Sequence, residues 1–124
     1  DSWSIEIKLE AEEISNILRV KSAMSEVDNF LVTTTKDLDG DSICELVFGD
    51  EIGHNNKVTY QLQGIINREN LKIKYNSNML RTILVANKDM DEGVLKISNA
   101  GLMYFSFKNE NIESEYYMVP QEDD

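Results

Sequence analysis

Apolar and polar residues alternate over residues 4–9, with Ile5, Ile7 and Leu9 on one side. That is the period of a strand with one buried face. From residue 10 to 24 the spacing becomes helical, with Ala11, Ile14, Ile17 and Leu18 on one side and Lys21 at the margin of the stripe. Glu10, Glu12 and Glu13 fall in the first turn, and Arg19 and Lys21 later, the order the helix dipole favours. The β-branched run 29–35 predicts a second strand, Asp37-Leu38-Asp39-Gly40-Asp41 a turn, and residues 43–48 a third strand. After a further turn at 49–56, residues 57–62 alternate again.

A second pass of the same pattern begins near Leu71. Leu71, Ile73 and Tyr75 alternate with Lys72 and Lys74, and Asn76-Ser77-Asn78 supplies a cap for a helix through residue 87 that buries Met79, Leu80, Ile83 and Leu84. Strands follow at 94–98, 102–107 and 114–119, separated by Asp91-Glu92-Gly93, Asn99-Ala100-Gly101 and residues 108–111. Each half reads strand, helix, strand, strand, strand. An offset of about 66 residues places Ile5 on Leu71, Ile7 on Ile73, Leu9 on Tyr75, Ile14 on Leu80, Ile17 on Ile83 and Leu18 on Leu84. Two short helices and eight strands predict an α+β fold, with antiparallel sheets and both helices on one face. The two pseudo-repeats span 4–64 and 70–120.

A duplicated unit lays its helices side by side and joins their outer faces into one surface. Asn16, Arg19, Ser22 and Lys21 are the expected outward positions on the first helix, and Asn78, Arg81, Thr82 and Lys88 on the second. No acid falls in 16–22 or 76–88. This segregation changes how charge is read. The chain has 12 Lys and Arg against 23 Asp and Glu, a net charge of −11, which speaks against wholesale nucleic-acid binding. Net charge nevertheless says little about one face, and a basic helix face suits phosphate contact without base readout. A solvated helix face of any globular domain is the plain alternative.

The length suits one domain, no run of 18 apolar residues is present, and the N-terminal residues lack the basic and apolar regions of a signal peptide. A single cysteine, Cys44, excludes an internal disulfide and fits a reducing cytoplasm.

Several segments resemble DNA sliding clamps. Residues 5–20, from Ile5-Glu6-Ile7-Lys8-Leu9 to Ile17-Leu18-Arg19-Val20, are similar to the start of the C-terminal domain in clamps of T-even phages. Residues 86–97, including Lys88-Asp89-Met90-Asp91-Glu92-Gly93, match those clamps at the exit of the second helix. The ending Glu115-Tyr116-Tyr117-Met118-Val119-Pro120 with its acidic tail is similar to the close of proliferating cell nuclear antigen. The middle, residues 37–56, matches only in pattern.

The resemblance implies the C-terminal domain of a ring-shaped, non-enzymatic polymerase processivity factor without a cofactor. Residues 1–4 would end the interdomain connector, 5–120 form the domain and 121–124 the acidic tail. It also implies partners: duplex DNA gripped without regard to sequence, a DNA polymerase, a clamp-loader ATPase, and further copies in a homotrimer. For a phage protein the compartment would be the bacterial host cytoplasm. Carried over by position, Arg19, Lys21, Arg81 and Lys88 would line the DNA hole. Met90, Tyr117, Met118, Val119 and Pro120 would form the pocket for a partner peptide. Lys57, Val58, Thr59, Tyr60 and Gln61 would form the strand that pairs with a neighbouring protomer. With the other domain of the protomer missing, this chain is not expected to close a ring.

Other chemistry finds little footing. Asp37, Asp39 and Asp41 suggest part of a calcium loop, yet the twelfth position is Phe48, where a bidentate acid is required. His54 stands alone among Gly53, Asn55 and Asn56 and reads as a loop residue. No nucleophile–base pair, phosphate-cradling glycine loop or zinc spacing occurs. Two alternatives stay open: an interaction module of the same fold that never encircles DNA, and a small enzyme using the acidic loops.

Overall fold

The structure is a computed structural model that describes residues 2–49 and 56–122. The first half contains β1 (Trp3–Leu9), α1 (Ala11–Ala23), β2 (Asn29–Lys36), β3 (Ser42–Phe48) and β4 (Val58–Leu62). A two-residue strand, β5 (Ile65–Ile66), precedes the second half: β6 (Lys72–Asn76), α2 (Ser77–Ala86), β7 (Glu92–Ser98), β8 (Met103–Lys108) and β9 (Glu113–Met118). The class is α+β, with two helices and two antiparallel sheets. The alternation gives no notice of β5, which is too short to show a period and exists through its pairing with Ile5 and Glu6.

The sheets are ordered β5-β1-β7-β8-β9 and β4-β3-β2-β6. Each half therefore lends its first strand to the sheet built by the other half. The registers of the two exchanges correspond. Leu9, Ile7 and Ile5 face Gly93, Leu95 and Ile97, while Tyr75 and Ile73 face Phe30 and Val32. The inward residues of both sheets and both helices form one continuous core, including Ile7, Ile14, Phe30, Leu46, Leu80, Leu84, Ile97 and Phe105.

The helix starts are fixed differently. Asn76 caps α2 by accepting a 2.8 Å hydrogen bond from the Met79 amide, as its position predicts. Ser77 is buried and ties the same end to the segment after α1: its Oγ donates to the Val27 carbonyl at 2.6 Å and its amide to that of Asp28 at 2.9 Å. Glu10 precedes α1 with no side-chain cap, leaving Glu12 and Glu13 to complement the dipole. Because α2 begins where α1 has ended, and Leu9 before α1 pairs with Gly93 after α2, the packed helices run antiparallel.

Three expected placements are corrected. Met79 is 47% exposed rather than buried, since the α2 stripe that meets the core is Leu80, Ile83 and Leu84. Ala11, in the first turn of α1, is exposed. The second helix stops at Ala86, so Lys88 lies in the turn beyond it.

Cys44 is buried between the sheet and the helices. Burial, and secondarily the Glu45 carboxylate, push its thiol from an ordinary 9.0 up to about 12. The folded state thus holds the proton more tightly than the unfolded chain, so the contribution to stability is complete below pH 9 and lost as pH rises towards 12. Urea midpoints are expected to fall between about pH 8 and 10.5, and less steeply in Cys44→Val. Equal slopes for both proteins would show that Cys44 does not carry the effect.

Candidate functional site

The outer face of the helix pair is mostly polar. In α1 the exposed residues Glu12, Ser15, Arg19 and Ser22 recur at helical spacing, opposite buried Ile14 and Ile17. In α2 the exposed positions include Asn78, Arg81, Thr82 and Val85. Arg19, Arg81 and Lys88 are therefore exposed. Asn16 is half-buried and turned sideways, its Nδ2 donating to the Tyr60 hydroxyl at 3.3 Å.

Lys21 does not belong to this face. It is 2% exposed, and its Nζ donates to the carbonyls of Val27, Ser25 and Met24 at 2.8, 3.3 and 3.4 Å. The borderline angle of position 21 resolves inward, because the turn leaving α1 curls over it and presents carbonyls that the helix cannot satisfy. Lys21 is a structural plug at the helix C-terminus.

The five residues expected to form one peptide pocket are dispersed. Period-two alternation sends Met118 inward, where it pairs with Met103 and is 1% exposed. Met90 precedes Glu92, which pairs with Lys108 and through it Glu113, whereas Pro120 follows Met118 at the far end of β9. Met90 and Pro120 therefore mark opposite ends of the five-stranded sheet. Val119 is 70% exposed.

Tyr117 does line a concavity, with residues that sequence reasoning passed over. On the outer face of the sheet, Tyr104 is registered opposite both Lys96 and Tyr117, and Trp3 approaches from β1. Ring centroids are 5.8 Å apart for Trp3–Tyr104 and 5.2 Å for Tyr104–Tyr117, and the Lys96 Nζ lies 5.2 Å from the Trp3 centroid. These side chains, with Leu102 and Ala100, bound a cleft of about 600 Å³. The signal for Tyr104 was present, since alternation in 102–107 places it outward, but only the register shows which strand lies beside it. Trp3 falls within residues 1–4, the expected end of the connector, yet belongs to β1.

A second depression of about 440 Å³ adjoins the first and is lined by Arg68, Lys72, Ile73, Gly101 and Pro120. Asn99 and Ala100 border both. The turn that carries them is pinned from several sides. Ser4 Oγ donates to Asn99 Oδ1 at 2.7 Å, Arg68 Nη1 to the Asn99 carbonyl at 3.2 Å, and the buried Tyr75 hydroxyl to the Gly101 carbonyl at 2.6 Å. Gly101 has φ +93°, a conformation that only glycine takes without strain.

The strand expected to meet a neighbour, residues 57–61, corresponds to β4, the outer edge of the four-stranded sheet. Its register with β3 runs from Val58 to Leu62, and no strand pairs with its other side among the described residues. Tyr60 is anchored inward, donating to Glu13 Oε2 at 2.6 Å. Desolvation, then this bond to Glu13, push its hydroxyl pKa up.

Asp37, Asp39 and Asp41 gather their carboxylates within 4.8 Å of one another, all exposed. Asp37 Oδ1 accepts the Asp39 and Asp41 amides, each at 2.9 Å, which is turn chemistry in the β2–β3 hairpin. His54 lies outside the described residues. No helix among the described residues is long and apolar enough to cross a membrane.

No family model and no curated protein matches the chain.

Proposed function

We propose that the chain is the C-terminal domain of a DNA sliding clamp, a non-enzymatic processivity factor that holds a polymerase on duplex DNA. The observation that carries this reading is the strand exchange between two βαβββ halves. It brings α1 and α2 together as an antiparallel pair with Arg19 and Arg81 exposed, the arrangement that the resemblance implies for a clamp domain. In this reading Arg19, Arg81 and Lys88 touch phosphates and no base is read. The aromatic cleft of Trp3, Tyr104 and Tyr117 receives the anchors of a partner peptide. The edge of β4 meets the next protomer by strand pairing.

The test is NMR titration of this chain with duplexes of unrelated sequence at low salt. Shifts are expected along the outer faces of α1 and α2, alike for every sequence. With three cations engaged, log K should fall against log salt with a slope no steeper than about −3. Arg19→Glu combined with Arg81→Glu should abolish the shifts. Absence of shifts on the helices, or shifts confined to another surface, would overturn the DNA reading. A second reading, an interaction module that never encircles DNA, is favoured by the net charge of −11 and retains the aromatic cleft.

A further inference from the structure

The two adjoining depressions differ in chemistry. One is aromatic, with Trp3, Tyr104 and Tyr117; the other is bordered by Arg68 and Lys72. Neither lining contains an aspartate or glutamate, although the chain carries 23 acids against 12 basic residues. The nearby acids are committed or outlying. Glu6 is 3.7 Å from Lys96, Glu69 is 3.3 Å from Lys36, Glu115 lies against the Tyr104 hydroxyl on the side away from Arg68, and Glu122 follows Pro120 as an exposed residue. Among the described residues, neither Arg68 nor Lys72 has a carboxylate partner. The strip from Tyr117 past the Asn99–Ala100 ridge to Lys72 is thus an apolar anchor site continued by a positive one, on a protein that otherwise repels acidic partners.

We propose that the segment bound here is an extended peptide whose aromatic anchors enter the Trp3–Tyr104–Tyr117 cleft and whose acidic flank crosses the ridge to Arg68 and Lys72. The inference rests on the reading of the aromatic cleft as a peptide site and adds the charge of the partner. A basic flank would gain from the net charge of the whole chain but would meet Arg68 and Lys72 locally. Long-range attraction between exposed charges is screened beyond about 8 Å at physiological salt, so the local pair decides.

The experiment uses short fluorescein-labelled peptides with one leucine and two phenylalanine anchors, flanked at either end by acidic, neutral or basic residues. Fluorescence anisotropy measures their affinity for the chain at physiological and high salt. The better-placed acidic flank is expected to tighten binding roughly tenfold over the neutral peptide, the combined effect of two exposed ion pairs. High salt, or Arg68→Glu with Lys72→Glu, should remove that advantage, and Lys72→Glu alone, which spares the Arg68 bond to the Asn99 carbonyl, should reduce it while leaving the neutral peptide's affinity unchanged. Both residues are exposed, so the double variant should fold, which its near-UV circular dichroism would verify. Equal affinity for all flanks, or a preference for the basic one, overturns the inference while leaving the cleft as a peptide site. Failure of every peptide to bind, with Tyr117→Ala no different from the parent, overturns the cleft reading and this inference with it.

Discussion

Truncating Phe30 to alanine is expected to lower the free energy of unfolding by about 3–5 kcal/mol, a large part of the 5–15 kcal/mol typical of a domain. Phe30 is 1% exposed and stands near the start of β2, directly opposite Phe48 on β3 and Tyr75 on β6. Its ring stacks on Phe48 at 5.4 Å and tilts against Tyr75 at 5.7 Å. Removing it leaves a void between the rings of Phe48 and Tyr75, on the strand that alone among the described residues pairs with the exchanged β6, and neither flanking ring can collapse into the gap without leaving its own strand position. Urea denaturation should show a lower midpoint at unchanged slope. A loss under about 1 kcal/mol would mean that the core there closes up freely.

Lys21 should behave as a core residue. Lys21→Ala is expected to cost about 3 kcal/mol, because the buried methylene stem and three charge-assisted hydrogen bonds are lost, while the Val27 and Met24 carbonyls keep the Ser77 hydroxyl and the Val27 amide as donors. Lys21→Met, which keeps most of the stem, should cost roughly 1–2 kcal/mol, the share due to the lost ammonium hydrogen bonds. Under the proposed clamp function, neither change should alter contact with DNA once the protein is folded, in contrast to Arg19→Glu. If Lys21→Ala unfolds at the parent's urea midpoint, the three hydrogen bonds contribute nothing. If it remains stable yet weakens DNA contact, Lys21 belongs on the outer face after all.

The contrast shows where sequence reasoning reaches its limit. The order of strands and helices was legible because each keeps its own period over five or more residues, and the Asn76 cap was legible because its chemistry is local. The position of Lys21 was not. Its helical angle lay at the edge of the stripe, and the carbonyls that draw it inward belong to a turn whose path no periodicity records. The dispersal of the expected peptide pocket has a similar cause. Adjacent residues such as Tyr117 and Met118 point to opposite faces, and only strand register reveals that Met90 and Pro120 mark different ends of the sheet.

The halves share a pattern but few identical residues at matched positions, and this has a structural reason. The position in β7 that corresponds to Phe30 is Gly93, placed between Leu9 and Phe107 as Phe30 is between Tyr75 and Phe48. A Cβ at Gly93 would come within 3.0 Å of both the Leu9 carbonyl oxygen and the Phe107 ring. One half fills its centre with a ring from the middle strand. The other leaves that strand bare and packs the ring of the neighbouring strand over it. The two centres are filled by unlike residues, so the halves carry few matching letters there.

The exchange of β1 and β6 also bears on ancestry. A single βαβββ unit in isolation would keep a three-stranded sheet with one apolar edge uncovered and a first strand with nowhere to pair. Two identical units could each satisfy the other by trading those strands, so the simplest forerunner of this chain is a homodimer. Fusing its genes would have turned an encounter between molecules into a tether of the few residues between Leu62 and Lys72, and left each half free to diverge only as a couple.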